Sequence, residues 1–139
     1  MSLIDRGRDH ALALFRIVVG LLFTCHGLQH VFGLFTTKPA VPITTWPGGP
    51  AGVIELVGGT LILIGLWTRV AALITSGAMA YAYFTVHQPK GLLPIENSGE
   101  LAAVYSWAFL LLVFTGSGAW ALDKVLSSRR QAAPELQTA

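Results

Sequence analysis

The sequence predicts an all-α integral membrane protein, an antiparallel bundle of four transmembrane helices. The chain has 139 residues, of which 53% are hydrophobic and only 12% are charged, whereas soluble domains carry about 25% charged residues. Four apolar stretches account for this composition, and each is close to the ~17 to 25 residues that cross about 30 Å of hydrocarbon. The predicted spans are residues 11–35, 51–67, 70–86 and 101–120.

The spans leave no room for a soluble domain, so residues 1–126 are predicted to form one transmembrane domain. Residues 127–139 are polar and are predicted to be a disordered tail. A cleaved signal peptide is an alternative for the first stretch. We expect the stretch to be retained, because it carries Arg16 and His26 and no small-residue cleavage site follows a compact apolar run.

The basic residues predict that both termini are cytoplasmic, because cytoplasmic loops of membrane proteins are enriched in Lys and Arg. A net charge of +2 is too small to indicate a nucleic-acid partner. In the predicted orientation the outer loops hold only Lys38 and Lys90. The inner side holds the larger set, with Arg16 taken to extend to the inner surface: Arg6, Arg8, Arg16, Arg69, Lys124, Arg129 and Arg130.

His26, His30 and Glu55 lie inside the spans, and His87 and Glu100 lie directly at the ends of spans. Such residues inside a membrane usually mark functional sites because burying them there is costly. At a rise of about 1.5 Å per residue, they fall at two depths. The deeper group is predicted to contain His26, His30 and Glu55, and the outer group His87 and Glu100. Glu55 shares a helical stripe with glycines and is therefore expected to face protein.

We predict catalytic roles for Glu55, His87 and Glu100, and a hydrogen bond of about 2.7 to 3.2 Å between the last two. The purely structural alternatives stay open. Glu55 can hold the helices together as a paired carboxyl, and His87 with Glu100 can fasten the third helix to the fourth. A metal site at His26, His30 and Glu55 is a further alternative, although no H-E-x-x-H pattern carries it.

A quinone is the ligand that these groups would suit. It needs an apolar slot reachable from the bilayer, hydrogen bonds to two carbonyl oxygens and a proton path, which a histidine and a desolvated carboxyl provide. His26, His30 and Tyr83 are the predicted cofactor-binding residues. Aromatic side chains that could line the slot are Phe32, Phe35, Trp46, Tyr81, Tyr83, Phe84 and Tyr105.

Four segments of the chain form a recognisable order: LALFRIVVGLLFTCHGLQHVFG in the first span, GVIELVGGTLILIGLWTRVAAL in the second, the outer-loop pattern from His87-Gln-Pro-Lys-Gly to Glu100-Leu-Ala, and the closing GSGAWALD. Together these segments resemble the DoxX-like membrane proteins. The resemblance covers Ala11 to about Asp123. The positions that match the family pattern are Arg16, Glu55, Gly58, Gly59, Arg69, His87, Glu100 and Asp123.

The resemblance implies a multi-pass protein of the bacterial inner membrane with a link to redox or sulfur chemistry. Members include the membrane subunit of a quinone-reducing thiosulfate oxidoreductase, and others are proposed to join soluble redox enzymes in a membrane complex. We therefore expect a small membrane subunit of a redox system, with quinone and a redox subunit as candidate partners. The alternative is a non-enzymatic anchor or assembly subunit. A proton-coupled carrier is disfavoured, because four helices without a repeat leave little to move.

Overall fold

The computed structural model describes residues 3–132, which contain five α-helices and no strand. The all-α prediction is confirmed. The third helix continues through a π-helical turn, Tyr83–His87, and a 3-10 turn, Gln88–Lys90. The helices are α1 Leu3–Phe32, α2 Gly48–Ile64, α3 Thr68–Ala82, α4 Glu100–Thr115 and α5 Leu122–Ala132.

Two helical segments within residues 3–132 are long and apolar enough to cross a membrane. They are Gly7–Phe32, with 26 residues, and Thr68–Lys90, with 23 residues. The helices α2 and α4 are apolar but have 17 and 16 residues, which corresponds to about 25 Å of rise. This is less than the ~30 Å of a hydrocarbon core, so a membrane crossing by α2 and α4 remains a prediction.

The predicted fourth span, residues 101–120, is too long, because α4 ends at Thr115. Gly116 follows it with a φ of 82° and Gly118 has a φ of 67°, a left-handed conformation that glycine adopts without steric cost. The chain then runs without helical structure until α5 begins at Leu122.

Glycines let α1 and α2 pack closely. A methyl group at Gly20 would lie 2.7 Å from the backbone nitrogen of Leu63, and one at Gly59 would lie 2.7 Å from that of Thr24. Both distances are below van der Waals contact, so a side chain at either glycine would force the helices apart. The expectation that the glycine stripe of α2 faces protein is confirmed.

Hydrogen bonds between two serines join α3 to α4. The hydroxyl of Ser76 donates to the carbonyl of Ser106 at 2.8 Å, and the hydroxyl of Ser106 donates to the carbonyl of Ser76 at 3.1 Å. In apolar surroundings such contacts give a helix pair a defined register. The molecule thus contains two closely packed pairs, α1 with α2 and α3 with α4.

The two pairs meet at an aromatic cluster in the middle of the molecule. Phe23 of α1 is buried, and its ring centroid lies 5.1 Å from that of Tyr105 and 4.7 Å from that of Phe109, both on α4. The rings of Tyr105 and Phe109 stack at 14°. This cluster fills the space between the pairs on one side and leaves a cavity on the other.

Arg16 is fully buried, so the prediction that it extends to the inner surface is wrong. Its guanidinium donates five hydrogen bonds to backbone carbonyls, two in the last turn of α2 and three in the segment between α4 and α5. The carbonyls in the last turn of a helix lie at the negative end of the helix dipole, where a positive charge is stabilising. The acceptors are Ile62 (2.9 Å), Leu63 (2.6 Å), Ser117 (2.8 Å), Ala119 (3.3 Å) and Trp120 (3.1 Å).

Asp123 fixes the start of α5 against the start of α3. Its carboxylate accepts hydrogen bonds from the backbone N–H groups of Trp67 at 2.9 Å and Thr68 at 3.2 Å, and a negative charge at this end of a helix is stabilising. The helix α5 then continues to Ala132. The prediction of a disordered tail is therefore wrong for residues 127–132, and residues 133–139 lie outside the described part of the chain.

Candidate functional site: an apolar cavity with a histidine–glutamate pair

A cavity of about 490 Å³ lies between the two helix pairs, beyond the aromatic cluster. Its walls come from α1, α2, α3, α4 and the loops at the end of the molecule opposite Arg16. Most lining side chains are apolar, among them Ile54, Met79 and Leu101. The volume lies within the 300 to 1,000 Å³ typical of small-molecule sites, which are mostly apolar with a few placed polar groups.

A histidine–glutamate pair lines this cavity. The Nδ1 of His30 on α1 lies 2.5 Å from the Oε2 of Glu55 on α2. The Glu55 residue is 6% exposed, whereas 43% of the His30 side chain is exposed, so the imidazole shields the acid from its surroundings. Gly52, one turn before Glu55, makes room for the imidazole, because a methyl group there would lie 2.8 Å from the Cβ of His30.

His26 lies at the floor of the cavity. Its ring packs edge-on against the ring of Tyr105, with centroids 6.0 Å apart and planes at 86°. Both residues line the cavity, and so do His30 and Glu55. The deeper group predicted from the sequence is thus brought together around one space.

His87 lines the same cavity from the π-helical turn after α3. Its Nδ1 donates a hydrogen bond to the backbone carbonyl of Asn97 at 3.2 Å. The predicted hydrogen bond between His87 and Glu100 is wrong. Glu100 is exposed at the first turn of α4, and among the described side chains it has no basic partner within 4 Å. The Nδ1–H of His87, which was predicted to bond to Glu100, is donated to the backbone carbonyl of Asn97 instead.

Asn97 is a buried residue that the sequence reasoning missed. Its Nδ2 donates to the carbonyl of Gly91 at 2.9 Å and to the hydroxyl of Tyr83 at 3.4 Å, and its Oδ1 accepts from the N–H of Gly99 at 2.8 Å. These bonds hold the outer loop and position the carbonyl that binds His87. The sequence Asn97-Ser98-Gly99 is a turn signal that could have indicated it.

The predicted aromatic lining is correct in part. Trp46 and Tyr81 lie at the rim, with ring centroids 6.1 Å apart, and join the loop before α2 to α3. Tyr105 lies at the floor. The other four predicted aromatics are not part of the lining: Phe32, Phe35, Tyr83 and Phe84.

The metal alternative requires at least three ligands. Among the described residues, no group of three His, Cys, Asp or Glu side chains lies close enough together to hold a metal ion. His30 and Glu55 contact each other directly, which occupies the Nδ1 and the Oε2 atoms. Cys25 is a free, half-buried thiol.

Comparison with known proteins decides the family. The family model described as DoxX matches residues 11–88, which is more than half of the chain. The chain belongs to the DoxX family. The resemblance to DoxX-like proteins inferred from the sequence is thereby confirmed, and no solved structure matches the chain.

Curated relatives cover most of this DoxX protein. An uncharacterized protein of Haemophilus influenzae is 46% identical over 134 residues, 88% of this chain and 96% of the relative. The inner membrane protein YqjF of Escherichia coli is 30% identical, over 82% of this chain and 90% of its own. A protein of Bacillus subtilis named as a candidate oxidoreductase, CatD, is 28% identical, over 79% of this chain and 82% of its own.

Proposed function

We propose that this DoxX protein is a multi-pass protein of the bacterial inner membrane, with four spans formed by α1, α2, α3 with its helical extension, and α4. The name of YqjF supports this location. Contacts at one end of the molecule support the antiparallel order, because the N–H of Ala119 donates to the carbonyl of Asp9 at 3.0 Å and Asp123 caps α3. Both termini then lie on one side, which we assign to the cytoplasm.

Exposed tryptophans support the placement of the short helices. Trp67 and Trp120 lie near the Arg16 end and are 70% and 63% exposed, and Trp46 lies near the opposite end and is 71% exposed. Tryptophan is enriched at both membrane–water interfaces. The loops next to α2 and α4 thus extend the apolar thickness of these two spans toward both interfaces.

The cavity, in this proposal, receives the ring of a quinone from the bilayer. The observation that carries the proposal is the pair of His30 and Glu55, a buried acid in hydrogen-bond contact with an imidazole, facing an apolar space of ligand size. The pair can give or take a proton at one ligand oxygen. His87 can form a hydrogen bond with a second polar group of the ligand. Glu100 and Tyr83 have no part in it, because neither lines the cavity.

The wider role that we propose is a small membrane subunit of a redox system, in which a partner protein exchanges electrons with the bound quinone. The support for this part is the name of CatD together with the character of the cavity. A cavity lined by proton-carrying groups suits such an exchange at the quinone, because reduction of each carbonyl consumes a proton.

Quinone binding tests the proposal. The protein purified in detergent should bind a decyl-benzoquinone. Glu55→Gln should weaken binding about tenfold, because an amide cannot share a proton with His30 and the loss of one buried hydrogen bond to the ligand costs roughly 1 to 3 kcal/mol. Glu100→Gln is the matched control and should bind as the unaltered protein does. Equal binding by all three proteins, or no binding by any, would contradict the proposal.

A second candidate function is supported by the same contact. The pair of His30 and Glu55 joins α1 to α2, as it would in a subunit that only anchors or assembles a soluble redox enzyme. In that case Glu55→Gln lowers the stability of the protein in detergent and the unaltered protein binds no quinone. Normal stability together with weakened quinone binding favours the first function.

A further inference from the structure

Three histidines line the cavity, and two of them, His30 on α1 and His87 after α3, use their Nδ1 atoms in hydrogen bonds of different kinds. The partner of His87 is the backbone carbonyl of Asn97, at 3.2 Å. A carbonyl oxygen can only accept, so the Nδ1 of His87 carries the hydrogen. A neutral imidazole has one donor and one acceptor nitrogen. In the neutral imidazole of His87 the Nε2 is therefore an acceptor.

His30 differs because its partner is a carboxyl group, which can hold a proton itself. If the imidazole is neutral and donates Nδ1–H to an ionised Glu55, the pair carries one net negative charge. If the pair holds one more proton, it is neutral. The Oε1 of Glu55 has no hydrogen-bond partner among the described residues, so the extra proton belongs to the contact between Nδ1 and Oε2, where it sits either on Oε2 or on the imidazole. In both of these arrangements the Nε2 of His30 carries a hydrogen.

The neutral pair is the state that the surroundings favour. The carboxyl is buried, with 6% exposure, the cavity walls are mainly apolar, and an uncompensated charge in such surroundings is costly. No Lys or Arg lines the cavity within the described residues. The Nε2 of His30 is therefore a donor, opposite in character to the Nε2 of His87.

We propose that the cavity selects a ring compound with a carbonyl at the His30 end and a hydroxyl at the His87 end. This inference rests on the proposed function, and it names the ligand class as quinones or aryl ketones that bear a ring hydroxyl. A ligand with two carbonyls, or with two hydroxyls, satisfies only one of the two histidines. The hydroxyl of Tyr105 imposes no such polarity, because it can rotate to donate or to accept.

Three ligands with one ring and one alkyl tail test this selection: para-hydroxyoctanophenone, octanophenone and para-octylphenol. The first has both groups, the second only the carbonyl and the third only the hydroxyl. In titrations of the full chain in detergent, para-hydroxyoctanophenone should bind about tenfold more tightly than either of the others, the gain expected for one additional buried hydrogen bond. Equal affinities for the three ligands would overturn the inference.

A variant at His87 tests whether this residue binds the ring hydroxyl of the ligand. His87→Phe should lower the affinity for para-hydroxyoctanophenone to that for octanophenone, and leave octanophenone binding unchanged. Lys90→Gln, an exposed position outside the cavity, should leave all three affinities unchanged. A preference for the hydroxyl that survives His87→Phe would overturn the inference. If the variant does not fold, the comparison of ligands on the unaltered protein decides.

The outcome separates this inference from the proposed function. Binding of decyl-benzoquinone without any preference among the three ligands overturns the inference and retains the proposed function. If neither the quinone nor any of the three ligands binds, both are overturned.

Discussion

The buried guanidinium of Arg16 is predicted to be the main element that holds together the end of the molecule where α2 ends and α5 begins. It donates five hydrogen bonds to carbonyls in the last turn of α2 and in the segment after α4. A lysine at this position keeps the charge but has three donors. Arg16→Lys therefore loses at least two hydrogen bonds, and at roughly 1.5 kcal/mol for each bond to a charged group it lowers the free energy of unfolding by about 3 kcal/mol.

Unfolding in mixed micelles of dodecyl maltoside and increasing sodium dodecyl sulfate measures this loss. Arg129→Lys is the matched control, because Arg129 is exposed on α5, and it should change the free energy of unfolding by less than about 0.5 kcal/mol. If Arg16→Lys is as stable as the control, the carbonyl contacts do not stabilise the fold and the reasoning is refuted.

Three further predictions concern packing, capping and topology. Gly27→Leu should prevent α1 from packing on α2, because even a methyl group at Gly27 would overlap the backbone of Leu56, and the variant should be recovered mainly as aggregate in size-exclusion chromatography. Asp123→Ala should lower the free energy of unfolding in mixed micelles by about 1 kcal/mol through loss of the cap on α3. In a Cys25→Ser background, a cysteine at Thr45 should react with an impermeant maleimide in intact cells and one at Ser128 should not; the reverse pattern would contradict the assigned orientation.

The sequence predicted the helical class and the convergence of the deeper polar group because both follow from local periodicity. Glu55 lies four residues before Gly59, on one helical stripe, and this is enough to place it against α1. The close approach at Gly59 was predictable for the same reason. The partner of Glu55 could be expected from the shared depth of His30, although the hydrogen bond itself could not.

The failures arose where a backbone group, which has no signature in the sequence, is the decisive partner. Arg16 was expected at the surface because the carbonyls that satisfy it come from chain segments far away in sequence. His87 was expected to bind Glu100, but the carbonyl of Asn97 accepts its hydrogen instead. The end of α4 at Thr115 depends on the conformation of Gly116. The continuous hydrophobicity of residues 101–120 gives no sign of this end.

Photoaffinity labelling can show whether the cavity beside His30 and Glu55 takes a quinone from the bilayer. The protein in lipid nanodiscs would be exposed to an azido-quinone, irradiated and mapped by mass spectrometry. We expect labels on lining residues such as His26 and Tyr105, and an excess of unlabelled quinone should abolish them. Labels confined to exposed positions such as Trp107, or labels that unlabelled quinone does not reduce, would contradict the claim.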